Sequence, residues 1–386
     1  MSHIPNIRFE GFTDDWEQRK LGEITSLITK GTTPKDKSGD GEINFIKVEN
    51  IDSSSGEIKD CSKISIEEHE GYLKRSQLKE NDILFSIAGT LGRTTVVNKG
   101  LLPANTNQAL AILRMSEGDI SYIVTVLKGR VVSDFVRKNP TVGAQPNLSL
   151  EQVSNLEIPY PNIDEQVKIG CFFRDLDNLI TLHQRKSEEL RETKKYMLQK
   201  MFPKKGESIP VIRFQGFTDD WERRKLSEVV DSVDTGKSKF DKEGSTGEYP
   251  ILGSTSVIGY DGEYDYEGDF ILTARVGANA GSLYRYAGKV KISDNTVYIQ
   301  ASENIEFLYY LLTQFDIKKL SFGTGQPLIK AGDLKELVLM MPTDLVEQVQ
   351  IGDYFLNLDN LIILHQRKCD QMKKLKKYML QNMFPK

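Results

Sequence analysis

The sequence predicts an α+β protein: two globular mixed α/β domains separated by two long antiparallel helices that form a coiled coil, built as a pseudo-twofold internal repeat. Three observations predict it. "FFRDLDNLITLHQRK" at 172–186 returns as "YFLNLDNLIILHQRK" at 354–368, and "KKYMLQKMFPK" at 194 returns as "KKYMLQNMFPK" at 376. "IRFEGFTDDWEQRKL" at 7 returns as "IRFQGFTDDWERRKL" at 212, while the stretches between these anchors diverge. A chain of 386 residues also exceeds the usual size of one domain. The repeats set the expected boundaries: domains at 1–162 and 204–343, and helical segments at 163–203 and 344–386.

Each repeat opens on a segment ending in "DDWE", where Trp16 and Trp221 are expected to anchor the segment to its domain core. Short β-like runs and turn residues follow. In the first repeat they are "INFIKVENI", "DILFSIAG", "TTVVN" and "LAILRM"; in the second, "YPILGS", "DFILTARVG", "GSLYRY" and "NTVYIQ". One helix per domain is expected, near 119–138 and 303–319, where apolar residues recur at three- and four-residue spacing.

The long helices are expected at about 164–201 and 346–383. Only Gly170 interrupts the first, and Pro203 lies just past its end. An apolar stripe runs Ile169, Phe172, Leu176, Leu179, His183 and Leu190, with Met197 beyond. Its copy runs Ile351, Tyr354, Leu358, Leu361, His365 and Met372, then Leu375 and Met379. Two such narrow seams bury each other most simply as an antiparallel pair. With matched ends, that pairing sets His183 beside His365 as hydrogen-bonded core histidines.

Composition narrows the function. Hydrophobic residues make up 39% and charged residues 27%, an ordinary globular balance, and no apolar run is long enough to cross a bilayer. The expectation is a soluble cytoplasmic protein. Cys61, Cys171 and Cys369 are few and far apart, which suggests neither a disulfide framework nor a zinc cluster. The chain has no phosphate-cradling "GxxxxGK[ST]". His3, His69, His183 and His365 join no nucleophile or metal cluster by sequence, so no catalytic residue and no metal site is expected. The net charge is −4, yet basic residues outnumber acidic ones from Arg185 to Lys205 and from Arg367 to the end.

The pattern "GAQPNLSLEQVSNLEIPYPNIDEQVKIG", followed by the helix ending in "MLQKMFPK", resembles the specificity subunit of type I restriction-modification enzymes. "GTGQPLIKAGDLKELVLMMPTDLVEQVQIG" is its weaker copy. The resemblance implies that each variable domain is a target recognition domain reading one half of a split, asymmetric double-stranded DNA target. It implies that the helices set the spacing and dock two methyltransferase subunits, and that restriction subunits join the complex from outside. No cofactor is expected on this chain; S-adenosylmethionine, ATP and magnesium are expected on the partners. In keeping with this division, the sequence lacks the Asn-Pro-Pro-aromatic tetrapeptide of amino-methyltransferases.

Candidate DNA-binding residues lie in the divergent middles. The first domain offers Lys30, Thr32, Thr33 and Lys35 in "TKGTTPKDK", Arg93 in "AGTLGRTT", and Asn105, Asn107 and Gln108 in "PANTNQALA". Lysine and threonine suit phosphates, the arginine fork suits guanine, and amides suit adenine. The second offers Lys237 and Lys239 in "DTGKSKF", Arg275 and Asn279 in "TARVGANAGS", and Asn295 in "ISDNTVYI". Gln145 and Gln326, in the shared turns, are assigned to the frame. The competing readings are a free-standing architectural or regulatory DNA binder and a structural rod, and two differently decorated domains speak against the rod.

Overall fold

The computed structural model describes residues 4–36, 38–52, 55–138, 147–239, 247–320 and 327–385, so Gln145, Gln326 and His3 lie outside the described residues. The chain divides into two compact units, Met1–Arg185 with Gln366–Lys386, and Lys186–His365. The long helices span Ile163–Lys200 and Leu345–Asn382, so each contributes its first half to one unit and its second half to the other.

In the first unit, a four-stranded antiparallel sheet orders Thr25–Lys30, Leu110–Met115, Ile83–Ser86 and Thr94–Val96. A three-stranded sheet adds Ser62–Ile64, Ile43–Ile46 and Ala104–Thr106, the last two parallel. In the second unit six strands form one sheet, in the order Ser232–Thr235, Thr296–Gln300, Tyr266–Ala274, Leu283–Ile292, Tyr249–Leu252 and Val257–Asp261. Six of the quoted β-like runs contain one of these strands whole, whereas "DFILTARVG" and "GSLYRY" hold only part of Tyr266–Ala274 and Leu283–Ile292. The helix expected over 119–138 is broken at Gly129 into Ile120–Lys128 and Arg130–Lys138. Its counterpart stops at Phe315, where Asp316 takes a left-handed conformation and a short 3-10 turn follows.

The invariant ends of each repeat build one lock, made twice. Arg8 donates to both oxygens of Glu165 at 2.7 and 2.8 Å, and Trp16 Nε1 donates to the same carboxylate at 3.1 Å. Arg213 and Trp221 hold Glu347 in the same way, at 2.6, 2.8 and 3.4 Å. Both glutamates are fully buried in the first turn of a long helix. An ionised carboxylate is tolerated there because paired donors replace its water. Two-stranded ribbons, Glu17–Lys20 with Glu157–Tyr160 and Glu222–Lys225 with Val338–Met341, continue the docking. Gly170 is needed because a Cβ would run into the Asp119 side chain and the Tyr122 backbone, and Gly352 lies as close to Phe307.

The seam departs from the expected stripe in phase. Leu179 and Leu361 are 42% and 43% exposed, and their neighbours Ile180 and Ile362 are buried instead. Phe173 and Phe355 are likewise buried deeper than Phe172 and Tyr354. Ile169, Leu176, Ile351 and Leu358 are buried, and Leu190 and Met372 are half-buried against their unit's core. The sequence offers adjacent apolar residues at these points, "FF" and "LI", and the 4-3-4 spacing 169, 173, 176, 180 selects the second of each.

Within the first unit the two helices run in opposite directions. Leu176 and Ile180 cluster with Cys369 and Met372, Lys376 pairs with Asp177, and Ile169 shares a core with Met383. In the second unit Lys194 pairs with Asp359 at 2.6 Å, and Phe202 stacks on Phe355. Carried along both helices from Asp177–Lys376, this register brings His183 level with Asp370; from Lys194–Asp359 it brings His365 level with Glu188. Both histidines are half-buried.

Candidate nucleic-acid interface

The first unit gathers three loops at one edge. Strand Thr25–Lys30 ends on exposed Lys30 and enters the loop 31–36, which lies against the turn 106–109. The Gly31 N–H donates to Leu110 O at 3.1 Å and the Thr32 N–H to Thr106 O at 2.9 Å. The Thr33 hydroxyl meets the exposed Gln108 amide, and the Asn107 side chain accepts from the Ala109 N–H at 3.2 Å, fixing the turn. The third loop follows the short helix Ile66–Glu70. Arg75 Nε donates to Thr32 Oγ1 at 3.1 Å, Glu68 accepts from the Lys35 N–H at 2.6 Å, and Lys35 Nζ lies 4.7 Å from the Tyr72 ring centre. Thr32, Thr33, Lys35 and Gln108 are therefore brought together with Tyr72 and Arg75, which the sequence reading passed over. Tyr72 is 52% exposed. The overlooked signal was "YLKRS", an aromatic beside basic residues, which falls after a short helix rather than in a glycine turn.

Two expected readers are turned inward. Asn105 is 0% exposed; its amide donates to Leu73 O at 2.9 Å and Ser76 Oγ at 3.1 Å, and its oxygen meets His69 Nδ1. It ties a sheet to the 66–76 loop and presents nothing to a base. Arg93 Nη1 donates to Val48 O at 3.1 Å and Ile51 O at 2.9 Å, so much of its fork clamps a neighbouring loop. Residue type was legible in both cases, but side-chain direction was not.

In the second unit, Lys237, Lys239, Arg275 and Asn295 converge. The Lys237 N–H donates to the Tyr266 hydroxyl at 3.2 Å, Lys291 Nζ donates to Lys239 O at 3.2 Å, and the Arg275 N–H donates to Asn295 O at 2.9 Å. Ser254 Oγ also donates to Asn295 O, at 3.1 Å. These backbone ties leave the Lys239, Arg275 and Asn295 side chains exposed, with Asn279 exposed on the same loop as Arg275. Lys237 reaches Asp234 at 3.2 Å, a hydrogen bond that raises its pKa and keeps it cationic. Among the described residues no group of three or more metal-ligating side chains converges, and no helix is long and apolar enough to cross a membrane.

Both interfaces share one glycine device. A Cβ on Gly31 would collide with the carbonyls of Thr106 and Asn107, and one on Gly236 with those of Ile292 and Ser293. Each candidate loop is held down on a turn that only glycine can approach. Gly31→Ala is expected to cost about 1–3 kcal/mol by overpacking and to weaken binding to a cognate duplex about tenfold. Fluorescence anisotropy on the assembled complex checks this, and unchanged affinity would show that the loop does not touch DNA.

Against known proteins, the Type I restriction modification DNA specificity domain matches residues 13–192 and 218–374. The chain is 27% identical over 406 residues to the type I restriction enzyme MjaVIII specificity subunit of Methanocaldococcus jannaschii, covering 95% of this chain and 91% of that protein. It is 22% identical to the EcoprrI specificity subunit of Escherichia coli, covering 94% and 91%. The fold is similar to the crystal structure of a type I restriction-modification S subunit from M. genitalium, with a TM-score of 0.70, 15% identity and 99% of each chain covered.

Proposed function

Since the chain belongs to the type I restriction-modification DNA specificity family, as a non-catalytic specificity subunit, we propose that each of its domains reads one half of a split, asymmetric DNA target. The long helices set the spacing between the halves and dock two methyltransferase subunits, and restriction subunits act through the assembled complex. S-adenosylmethionine, ATP and magnesium are held by the partner subunits. One contrast carries this reading: the frame is written twice almost verbatim, whereas the loops it presents carry different side chains. The Thr33, Gln108, Arg75 and Tyr72 group and the Lys239, Arg275 and Asn295 group offer different donor sets, as two different half-sites require. The acidic total charge fits a subunit whose positive channel is completed by partners.

Long-read methylation mapping in cells expressing the chain with and without its methyltransferase partner tests the reading. A split motif present only with both supports it; specific DNA binding by the isolated chain and no methylation motif would favour a free-standing binder. Inserting four residues into both long helices adds about 6 Å and is expected to lengthen the gap by one or two base pairs at ~3.4 Å each, leaving both half-sites unchanged. Altered half-sites with an unchanged gap would remove the helices from that role.

A further inference from the structure

At the edge of the first unit, consecutive threonines each fix one long polar side chain. Thr32 Oγ1 accepts from Arg75 Nε at 3.1 Å, and the Thr33 hydroxyl donates to Gln108 Oε1. The backbone beneath both is tied to one buried residue. The Asn105 amide donates to Leu73 O at 2.9 Å and to Ser76 Oγ at 3.1 Å, on either side of Arg75, and Asn105 precedes Gln108 on the same segment. Glu68 fixes the threonine loop in turn, accepting from the Lys35 and Asp36 N–H groups at 2.6 and 3.3 Å. Arg75 and Gln108 are nevertheless exposed, and among the described residues Arg75 makes no ion pair. Two side chains are thus held in set directions with polar atoms left over for a ligand.

We propose that Arg75 reads a guanine and Gln108 an adenine of the half-site taken by the first unit, with Thr32 and Thr33 as their positioning residues; this rests on the DNA-reading role proposed above. The atoms left over carry the assignment. With Nε engaged by Thr32, Arg75 offers its two terminal Nη groups, a pair of parallel donors that matches guanine O6 and N7 in the major groove. A lysine would keep the charge and lose that fork. The Thr33 hydroxyl fixes which way the Gln108 amide faces. Its Nε2 donor and the second lone pair of Oε1 then match N7 and the amino group of adenine. Side chains already held in one direction also lose less freedom on binding. Arg93, the arginine singled out by its glycine loop, spends Nη1 on two carbonyls and lacks a free terminal pair, so guanine falls to Arg75 instead.

The test uses the chain assembled with its methyltransferase subunit. Methylation mapping supplies the motif, and competition anisotropy then compares duplexes in which one purine at a time is replaced by its 7-deaza analogue, which lacks the N7 acceptor. For wild type, replacing one guanine and one adenine of the same half-site is expected to cost roughly tenfold each in affinity. In Arg75→Ala the guanine replacement, and in Gln108→Ala the adenine replacement, is expected to cost nothing further. Replacements in the other half-site keep their wild-type cost, which also shows that each variant is folded. Arg75→Lys is expected to behave as Arg75→Ala, and Thr32→Val to shrink the guanine penalty, with Thr32→Ser restoring it. A guanine penalty that persists in full in Arg75→Ala would overturn the assignment and leave the DNA-reading role standing. Affinity lost equally on every duplex and restored by Arg75→Lys would make Arg75 a phosphate contact and overturn it equally. A wild-type complex that yields no motif would remove the DNA-reading role and this inference with it.

Discussion

Glu165→Ala is expected to destabilise the first unit by about 3–5 kcal/mol, with Glu347→Ala doing the same to the second. The size follows from what the carboxylate leaves behind. Arg8 is nearly buried, and it and the Trp16 indole N–H would lose a shared acceptor where water cannot replace it. The lock also fixes the start of a long helix, whose first turn is held by Asn162 accepting from the Glu165 N–H at 2.9 Å and Gln166 donating to Pro161 O at 2.8 Å. The two tryptophans, one per unit, make the experiment selective. In a Trp221→Phe background, fluorescence-detected urea unfolding of Glu165→Ala is expected to show the Trp16 transition shifted to lower denaturant. In a Trp16→Phe background the Trp221 transition of Glu165→Ala is expected to stay in place. A Trp16 shift of less than about 1 kcal/mol would mean that the pair is replaceable and the lock is not what fastens the leading segment.

That lock explains why "IRF" and "DDWE" are repeated, which the sequence alone did not disclose. Tryptophan as an anchor was legible from its matching place in "FTDDWE" of both repeats. Its acceptor was not, because Glu165 lies far along the chain and its burial depends on Arg8. The long helices were legible to within a residue at each end, as the absence of proline and the Pro203 stop leave little choice. Their buried face was legible only up to phase: where two apolar residues adjoin, as at Leu179–Ile180, periodicity admits both and packing decides. The interface followed the same division. Loops 31–36 and 236–239 were visible as glycine turns bearing cations and hydroxyls. Asn105 and Arg93 matched the chemistry of base readers yet spend their polar atoms on the carbonyls and hydroxyls of neighbouring loops. Tyr72 and Arg75 join the candidate loops through contacts that span more than thirty residues of sequence.

Removing residues 366–386 is expected to unfold the first, N-terminal unit and to leave the second folded. The C-terminal end of the chain is core material for the beginning. Met383 is buried among Trp16, Tyr122 and Phe173, and Phe384 lies about 6 Å, ring centre to ring centre, from each of those three aromatics. The Ile7 N–H donates to Asn382 O at 2.9 Å, Lys376 pairs with Asp177, and Cys369 and Met372 cover Leu176 and Ile180. The second unit has its own copy of this closure upstream: Met201 and Phe202 pack on Trp221, Phe307 and Phe355, and the Ile212 N–H donates to Lys200 O at 2.9 Å. Losing a buried methionine costs about 2–5 kcal/mol and an aromatic about 3–5. Together with the helix segment and its ion pair, the loss exceeds much of the roughly 5–15 kcal/mol that holds a domain folded. The truncated chain should therefore lose its cooperative Trp16 transition, keep that of Trp221, and become protease-sensitive before residue 185. Phe202→Ala is the reciprocal experiment, weakening the second unit alone from a position just past the end of the first long helix. A truncated chain that retains its Trp16 transition would show that the first unit closes its core without the C-terminal segment, and the repeated "MFPK" would then need another explanation.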